Sequence, residues 1–336
     1  MTLEAMRNRA LNRANFISLE EYFDFAITYL HFMDDPTNIQ AAIVCQNETS
    51  YRFYQYKEDG GHNITRPINN DLWLPEAQYV AHLGDFCNIL NDLRNGNQPN
   101  LAHKNLVSKF IYTTQQTIGA SLDSLEAARV NNARKLNGDI FEQFMRQLVQ
   151  ATGVECESGV IRVPIRDAAG TELVKVQYQH DMLISYDGDL KVIGSVKTSS
   201  KDRIDKIFID KFLYSQLTGT DTPHIAVFLN DVQRGKATRG TATRPPSYKV
   251  ASTFLSGKFK AYTIRLNPLD GVYYCDLRPN MTADPLLAPQ IKSVDELFYG
   301  DLQRLLITAP PAPVEVEEGA ELPADSDGTD SLISES

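Results

Sequence analysis

Glu142, Asp181, Lys197 and Asp210 have the types and the order along the chain needed to work on a phosphate ester. Carboxylates supply the hard oxygens that Mg2+ prefers, usually more than one at a time. An ammonium beside them offsets charge developing on a phosphoryl group and orients a water. A bound Mg2+ polarises the phosphate, generates the attacking hydroxide and stabilises the leaving oxygen. Asp181 and Asp210 are the candidate metal ligands, Lys197 is the candidate cation, and Glu142 is placed to support the metal or its waters. The six histidines form no defensible triad with Ser and Asp. His180, next to Asp181, falls on the opposite face of its strand. Cys45, Cys87, Cys156 and Cys275 are scattered, with no CxxC pair, so neither a zinc site nor a disulfide framework is indicated.

The elements that must position these residues follow from periodicity. The apolar stripe Ile140, Phe141, Phe144, Met145, Leu148 and Val149 predicts a helix from near Asp139 to just before Gly153, with Glu142 on its border. The stretch 121–136 predicts an earlier, separate helix. VKVQYQHDMLISY alternates, as does LKVIGSVKT, and Asp187-Gly188-Asp189 between them predicts a hairpin. A three-residue Asp-Gly-Asp loop pairs Tyr186 with Leu190 and sets Asp181 opposite Ser195. Lys197 is then a same-face diagonal neighbour of Asp181, about 7–8 Å away or less. A two-residue turn would put the two on opposite faces. A helix over roughly 203–217, stopped by Gly219, carries Asp210 beside Ile207, Phe208, Phe212 and Leu213. HIAVFLN is the next strand. The order α, β, β, α, β implies an α/β fold with a mixed sheet flanked by helices.

This layout resembles the PD-(D/E)xK nuclease superfamily: a helix with Glu142, a strand with Asp181, and a strand ending in xxK at Lys197. The usual acid two residues before the lysine is Ser195 here. One branch has that feature, the CCGG family of type II restriction endonucleases with its EcoRII-like and NgoMIV-like members. It carries S-x-K and moves the carboxylate to a downstream helix. Asp210, thirteen residues after Lys197, matches the shifted position, with Asp in place of the more usual Glu. The resemblance covers about residues 138–230 and implies a restriction-endonuclease-like core, Mg2+, double-stranded DNA as partner and a homodimer or higher homo-oligomer. It also implies base readout just after the lysine, by Asp202 and Arg203 with a leading basic residue. Strict spacing puts Ser200 in the leading position; Lys201 fits if the motif is one residue shorter. An arginine donates twice to guanine O6 and N7, and an aspartate accepts from cytosine N4, so CC/GG is the implied core of the target, contiguous or split by one pair.

Charge is uneven in a way that suits this reading. The net charge is −10, but residues 309–336 carry eight acids and no base, leaving the remainder at about −2. Residues 191–260 hold thirteen Lys and Arg against five Asp. Within them the loop from Arg234 through Lys236 and Arg239 to Arg244 suits DNA phosphates or a mobile surface loop equally. No apolar run is long enough to span a bilayer and the N-terminus lacks a signal-peptide stretch, so a cytoplasmic location is expected. The expected organisation is an N-terminal α/β region over 1–115 without a chemical motif, a catalytic and recognition domain over 116–308, and a disordered Pro-rich acidic tail over 309–336.

Overall fold

Three successive segments, residues 182–185, 192–196 and 224–230, decide the architecture, because nearly all of their side chains are buried in the middle of one sheet. The computed structural model describes residues 1–57, 64–125, 129–201, 203–236, 248–310, 312 and 315–319. The N-terminal part contains α1 (Leu3–Ala10), α2 (Leu19–Asp34), a three-stranded sheet of β1 (Ile39–Val44), β2 (Tyr51–Tyr56) and β3 (Ile68–Asn69), then α3 (Glu76–Arg94) and α4 (Leu106–Leu122). α5 (Val130–Ala151) leads into β4 (Glu155–Arg166), β5 (Glu172–Tyr186), β6 (Asp189–Ser199), α6 (Ile204–Thr218) and β7 (His224–Asn230). A small ribbon follows, β8 (Val232–Arg234) with β9 (Val250–Ser252), then α7 (Ser256–Arg265), β10 (Gly271–Tyr274), β11 (Ile291–Ser293), a helix at Leu302–Thr308 and β12 (Glu315–Glu318).

The central sheet has the order β11-β10-β7-β6-β5-β4-β12. β6, β7, β10 and β11 are parallel to one another, whereas β5, β4 and β12 add on antiparallel. Val192 and Val196 of β6 pack into the same core as Phe141, Phe144 and Leu148 of α5. Ile193 packs against Tyr214 of α6 from the other face. A mixed central sheet flanked by helices is thus the observed fold class.

Several local expectations need correcting. There is no break at residues 137–138. α5 runs through Gly138, and the chain interrupts earlier, between Leu122 and Val130. A helical glycine costs about 1 kcal/mol. That cost is offset where the apolar stripe is buried and where Asn137 accepts from Gln115 Nε2 through both its carbonyl and its Oδ1. The boundary drawn between 115 and 116 falls inside α4, which is buried from Leu106 to Leu122 apart from Lys109. One core joins α2, α3 and α4 to α5 and β6, so residues 1–115 are built into the same hydrophobic body as the rest. Among the described residues no helix is long and apolar enough to cross a membrane.

The tail does not leave the protein at Ala309. Ala309 is buried, Ala312 N–H donates to Leu190 O at 3.0 Å, and β12 pairs with β4 from Glu315↔Arg162 to Glu318↔Gly159. Gly319 N–H then donates to Ser158 O at 2.7 Å. Alternating EVEE satisfies the open edge of β4 through its main chain, which composition alone does not register. Residues 320–336 of the expected tail lie outside the described residues; truncation after Thr308 should melt a few degrees below truncation after Gly319. Identical melting of the two forms in calorimetry would show that the strand adds nothing.

Candidate active site

The hairpin that sets the site closes differently from expectation and reaches the same register. Tyr186 pairs with Asp189, so the turn has two residues, Asp187 (φ 52°) and Gly188 (φ 79°). Positive φ at both positions is the geometry of a type I′ turn, which glycine accepts freely. That turn alone would put Asp181 and Lys197 on opposite faces. A bulge at Lys191 prevents it: Ser185 pairs with Leu190 but Ile184 pairs with Val192. The pairing then continues as Leu183↔Ile193 and Met182↔Gly194, which aligns Asp181 with Ser195.

Beyond Met182↔Gly194 the strands part. β6 continues alongside β7, from Ile193↔His224 to Ser199↔Asn230, while β5 continues alongside β4. Asp181 stands at this fork. Its Oδ2 accepts the Val196 main-chain N–H at 2.8 Å and the Lys197 ammonium at 2.5 Å. Glu142 reaches the same ammonium from α5, with Oε1 2.7 Å from Lys197 Nζ. Its place on the helix follows from the stripe, since Phe141 and Met145 are fully buried while Glu142 sits at the rim beside them. The structure therefore brings Glu142, Asp181 and Lys197 into one hydrogen-bonded cluster, all three side chains only 16–24% exposed.

Asp210 approaches from α6. No direct bond joins it to the other three, but it feels the charge of Asp181, and Tyr178 of β5 feels its own. Burial raises the Asp210 carboxyl above its ordinary range; Lys206, one turn earlier, lowers it, and Asp181 raises it again. Glu142 is shifted more, up to about 7, first by burial and then by Asp181, with Lys197 pulling the other way. For Lys197 burial acts against the charge, yet Asp181 and Glu142 outweigh it and hold the ammonium above its ordinary value. Three carboxylates around one ammonium leave an excess of negative charge in a part-buried place, an environment that favours an added cation. Among the described residues no three His, Cys, Asp or Glu side chains converge closely enough to cage an ion by themselves. One or two protein carboxylates completed by substrate phosphate and water is the usual arrangement for Mg2+, so the donor set of Asp181 and Asp210 fits it.

The segment after β6 leads away from this cluster along the same edge. Ser200 is buried and its hydroxyl lies 3.0 Å from that of Thr253, whereas Lys201 and Arg203 are exposed. Of the two candidates for the leading position, Lys201 is thus open to solvent and Ser200 is not. Asp202, Arg239 and Arg244 lie outside the described residues. Lys236 is exposed. Arg234 is not a free cation: its guanidinium donates to Ile64 O and Thr65 O, the latter at 2.9 Å, and lies 6.0 Å from the Phe53 ring centroid. It fastens the N-terminal sheet to β8. His180 is buried, as its strand face requires, and burial and then His224 hold it neutral, with its pKa down to about 3.

Sequence reasoning missed Arg146. It sits one helical turn after Glu142, and its Nη1 donates to the main-chain carbonyl of Asp181 at 2.8 Å. The i, i+4 spacing from Glu142 was the available signal.

No protein-family model matches this chain, and no curated protein matches it in sequence. Among solved structures it is similar to the crystal structure of the Type IIP restriction endonuclease Kpn2I, with a TM-score of 0.61 and 14% identity over 92% of this chain and 99% of that one. A weaker likeness, TM-score 0.37 and 14% identity over 60% of this chain and 80% of the other, is to the restriction endonuclease PspGI-substrate DNA complex. The mixed α/β architecture described above is that of a restriction endonuclease fold.

Proposed function

We propose that this chain is a type II restriction endonuclease that cuts double-stranded DNA with Mg2+ at a palindromic site with a CC/GG core. The observation that carries the reading is the cluster at the sheet fork, where Lys197 is bonded to both Asp181 and Glu142 and Asp210 stands close by. The fold shared with Kpn2I supports it. Mg2+ held by Asp181 and Asp210 would supply Lewis-acid polarisation of the phosphate and a hydroxide at neutral pH. The protein's own groups supply the rest. Lys197 keeps its proton, because two carboxylates outweigh its burial, and so presents a fixed positive charge to the phosphoryl oxygens. Glu142, near neutrality in its titration, exchanges a proton with an adjacent water in the working range. Lys201, Asp202 and Arg203 follow Lys197 within six residues of sequence, so in this reading they meet the base pairs beside the scissile phosphate. A palindromic duplex matches a two-fold homodimer.

The first test is chemical. Plasmid incubated with the protein and Mg2+ should yield discrete fragments, and Asp181→Asn, Lys197→Met and Asp210→Asn should each nearly abolish them while far-UV circular dichroism stays unchanged. Binding to DNA in Ca2+ should survive Lys197→Met. A wild-type digest that smears points instead to a non-specific nuclease, and an intact but retarded plasmid points to a binder. Normal cutting by Asp210→Asn would remove the second ligand from this scheme.

Titration offers a second test, made without metal. The Glu142 carboxyl is held near 7 against an ordinary 4.5, so the folded state keeps its proton where the unfolded chain has lost it. That contribution is fully present below pH 4.5 and is lost as pH rises through about 7. Glu142→Gln should therefore melt close to the wild type at pH 4.5 and above it at pH 8. A gap that is constant across this range would mean that Glu142 titrates normally.

Recognition gives the third test. Arg203→Ala should lose roughly 1–3 kcal/mol of affinity for a cognate duplex and much less for random DNA, because base contacts carry sequence information and phosphate contacts do not. Lys236→Ala should weaken both about equally and flatten the salt dependence. Cut sites mapped on a sequenced plasmid must contain CC on one strand and GG on its partner. Any other core removes the CCGG assignment.

A further inference from the structure

α5 carries three polar side chains spaced four residues apart, and each is bonded to a different strand. Glu142 bonds to Lys197 on β6, Arg146 to the Asp181 carbonyl on β5, and Gln150 Nε2 to the Cys156 carbonyl on β4 at 2.7 Å. Four residues advance a helix by about 6 Å, and strands lie about 4.8 Å apart, so successive turns can meet successive strands only when the helix crosses the sheet at a set angle. The three bonds therefore fix where α5 lies over the fork.

The middle bond differs from the other two in what it touches. Asp181 is the residue at which β5 leaves β6, and its carboxylate is already turned into the gap to accept Val196 N–H and Lys197. Arg146 takes the carbonyl of that same residue, so both polar ends of Asp181 are held, one by β6 and one by α5. A guanidinium donor makes this bond charge-assisted and stronger than a neutral one. We propose that Arg146 is a positioning residue: it fixes the Asp181 peptide, and through it the direction of the carboxylate, for cation binding. This rests on the nuclease reading of the site. Gln150 makes a bond of the same kind one turn further on and does not touch Asp181, so it separates positioning from simple fastening of helix to sheet. Arg146 also borders a polar cavity of about 270 Å³ together with Arg13 and Glu157, so an uncharged side chain at 146 leaves water there rather than a dry void.

The test compares Arg146→Met, Arg146→Lys and Gln150→Ala with the wild type in three measurements: melting temperature, Mn2+ affinity by calorimetry without DNA, and single-turnover cleavage against Mg2+ concentration. Arg146→Met should weaken Mn2+ binding and raise the half-saturating Mg2+ by about 10–100-fold, the range typical of residues that orient a metal ligand. Arg146→Lys keeps one donor and should recover most of the loss. Gln150→Ala should lower the melting temperature without moving either metal constant. If Arg146→Met and Gln150→Ala bind Mn2+ like the wild type, Arg146 is only a structural fastening and the proposal is wrong. Wild-type protein that takes up no Mn2+ overturns both this proposal and the nuclease reading. If the wild type binds Mn2+, Arg146→Met binds it weakly, and neither ever cuts, the positioning role stands and the nuclease reading falls alone.

Discussion

Everything near the site depends on one arrangement, an ammonium shared by two carboxylates at the point where two strands separate. Buried charge is costly, and breaking such a pair by removing one partner costs more than the pair contributes. The elements around Lys197 must therefore deliver Asp181 and Glu142 together. The hairpin delivers Asp181 and α5 delivers Glu142. They come from opposite faces of the sheet, since Val196 packs towards α5 while Ile193, two strand positions before Ser195, packs towards α6. Only a gap between β5 and β6 allows the three to touch. The fork is thus a requirement of this shared ion pair as much as a feature of topology.

The fork in turn needs a firm end. Its last closed rung is Met182↔Gly194, where the two chains approach so closely that a Cβ on residue 194 would lie 2.6 Å from Met182 Cε. Glycine there lets the strands stay joined up to the residue before the aspartate. Past that point the Val196 N–H would lack its strand partner, and the Asp181 carboxylate replaces it. An aspartate in this place satisfies the backbone and presents negative charge in one step. Glu142 and Asp210 add two more carboxylates near the one ammonium, and burial, reinforced by the Asp181 charge, raises both of their carboxyls. A second cation relieves that excess, which is the electrostatic case for a metal at this spot.

Strongly periodic elements were legible in the sequence. The α5 stripe, the β5–β6 alternation and the apolar β7 read correctly because each buries a face, and burial writes its period into the residues. The union of Asp181 with Lys197 was legible too, though through a compensating error. Asp-Gly-Asp reads as a three-residue loop or as a two-residue turn plus one more strand residue. The choice changes the turn but not the register, because the bulge at Lys191 restores the missing residue. Turn chemistry is local, whereas the register is set by which face Ile184, Val192 and Val196 must bury. The packing decided, and the bulge absorbed the difference.

Where the reading failed, the deciding contacts were far apart in sequence. Composition assigned the tail to solvent because it is acidic and Pro-rich, yet a strand edge needs only main-chain partners, and β12 supplies them to β4. A domain boundary at 115/116 looked natural because motifs begin after it, yet α4 is buried nearly throughout and joins the N-terminal helices to α5 in one core. That joining bears on the site. α5 can hold Glu142 over the fork only if its other side is supported, and the support comes from residues before 115: Tyr22 stacks on Phe144 at 4.5 Å and donates to Ile140 O, and Phe16 O accepts from Gln143 and Gln147. Residues with no chemical motif thereby fix the helix that carries one of the candidate carboxylates. The N-terminal region is thus the support behind α5, a role set by packing contacts that leave no chemical motif in its own sequence.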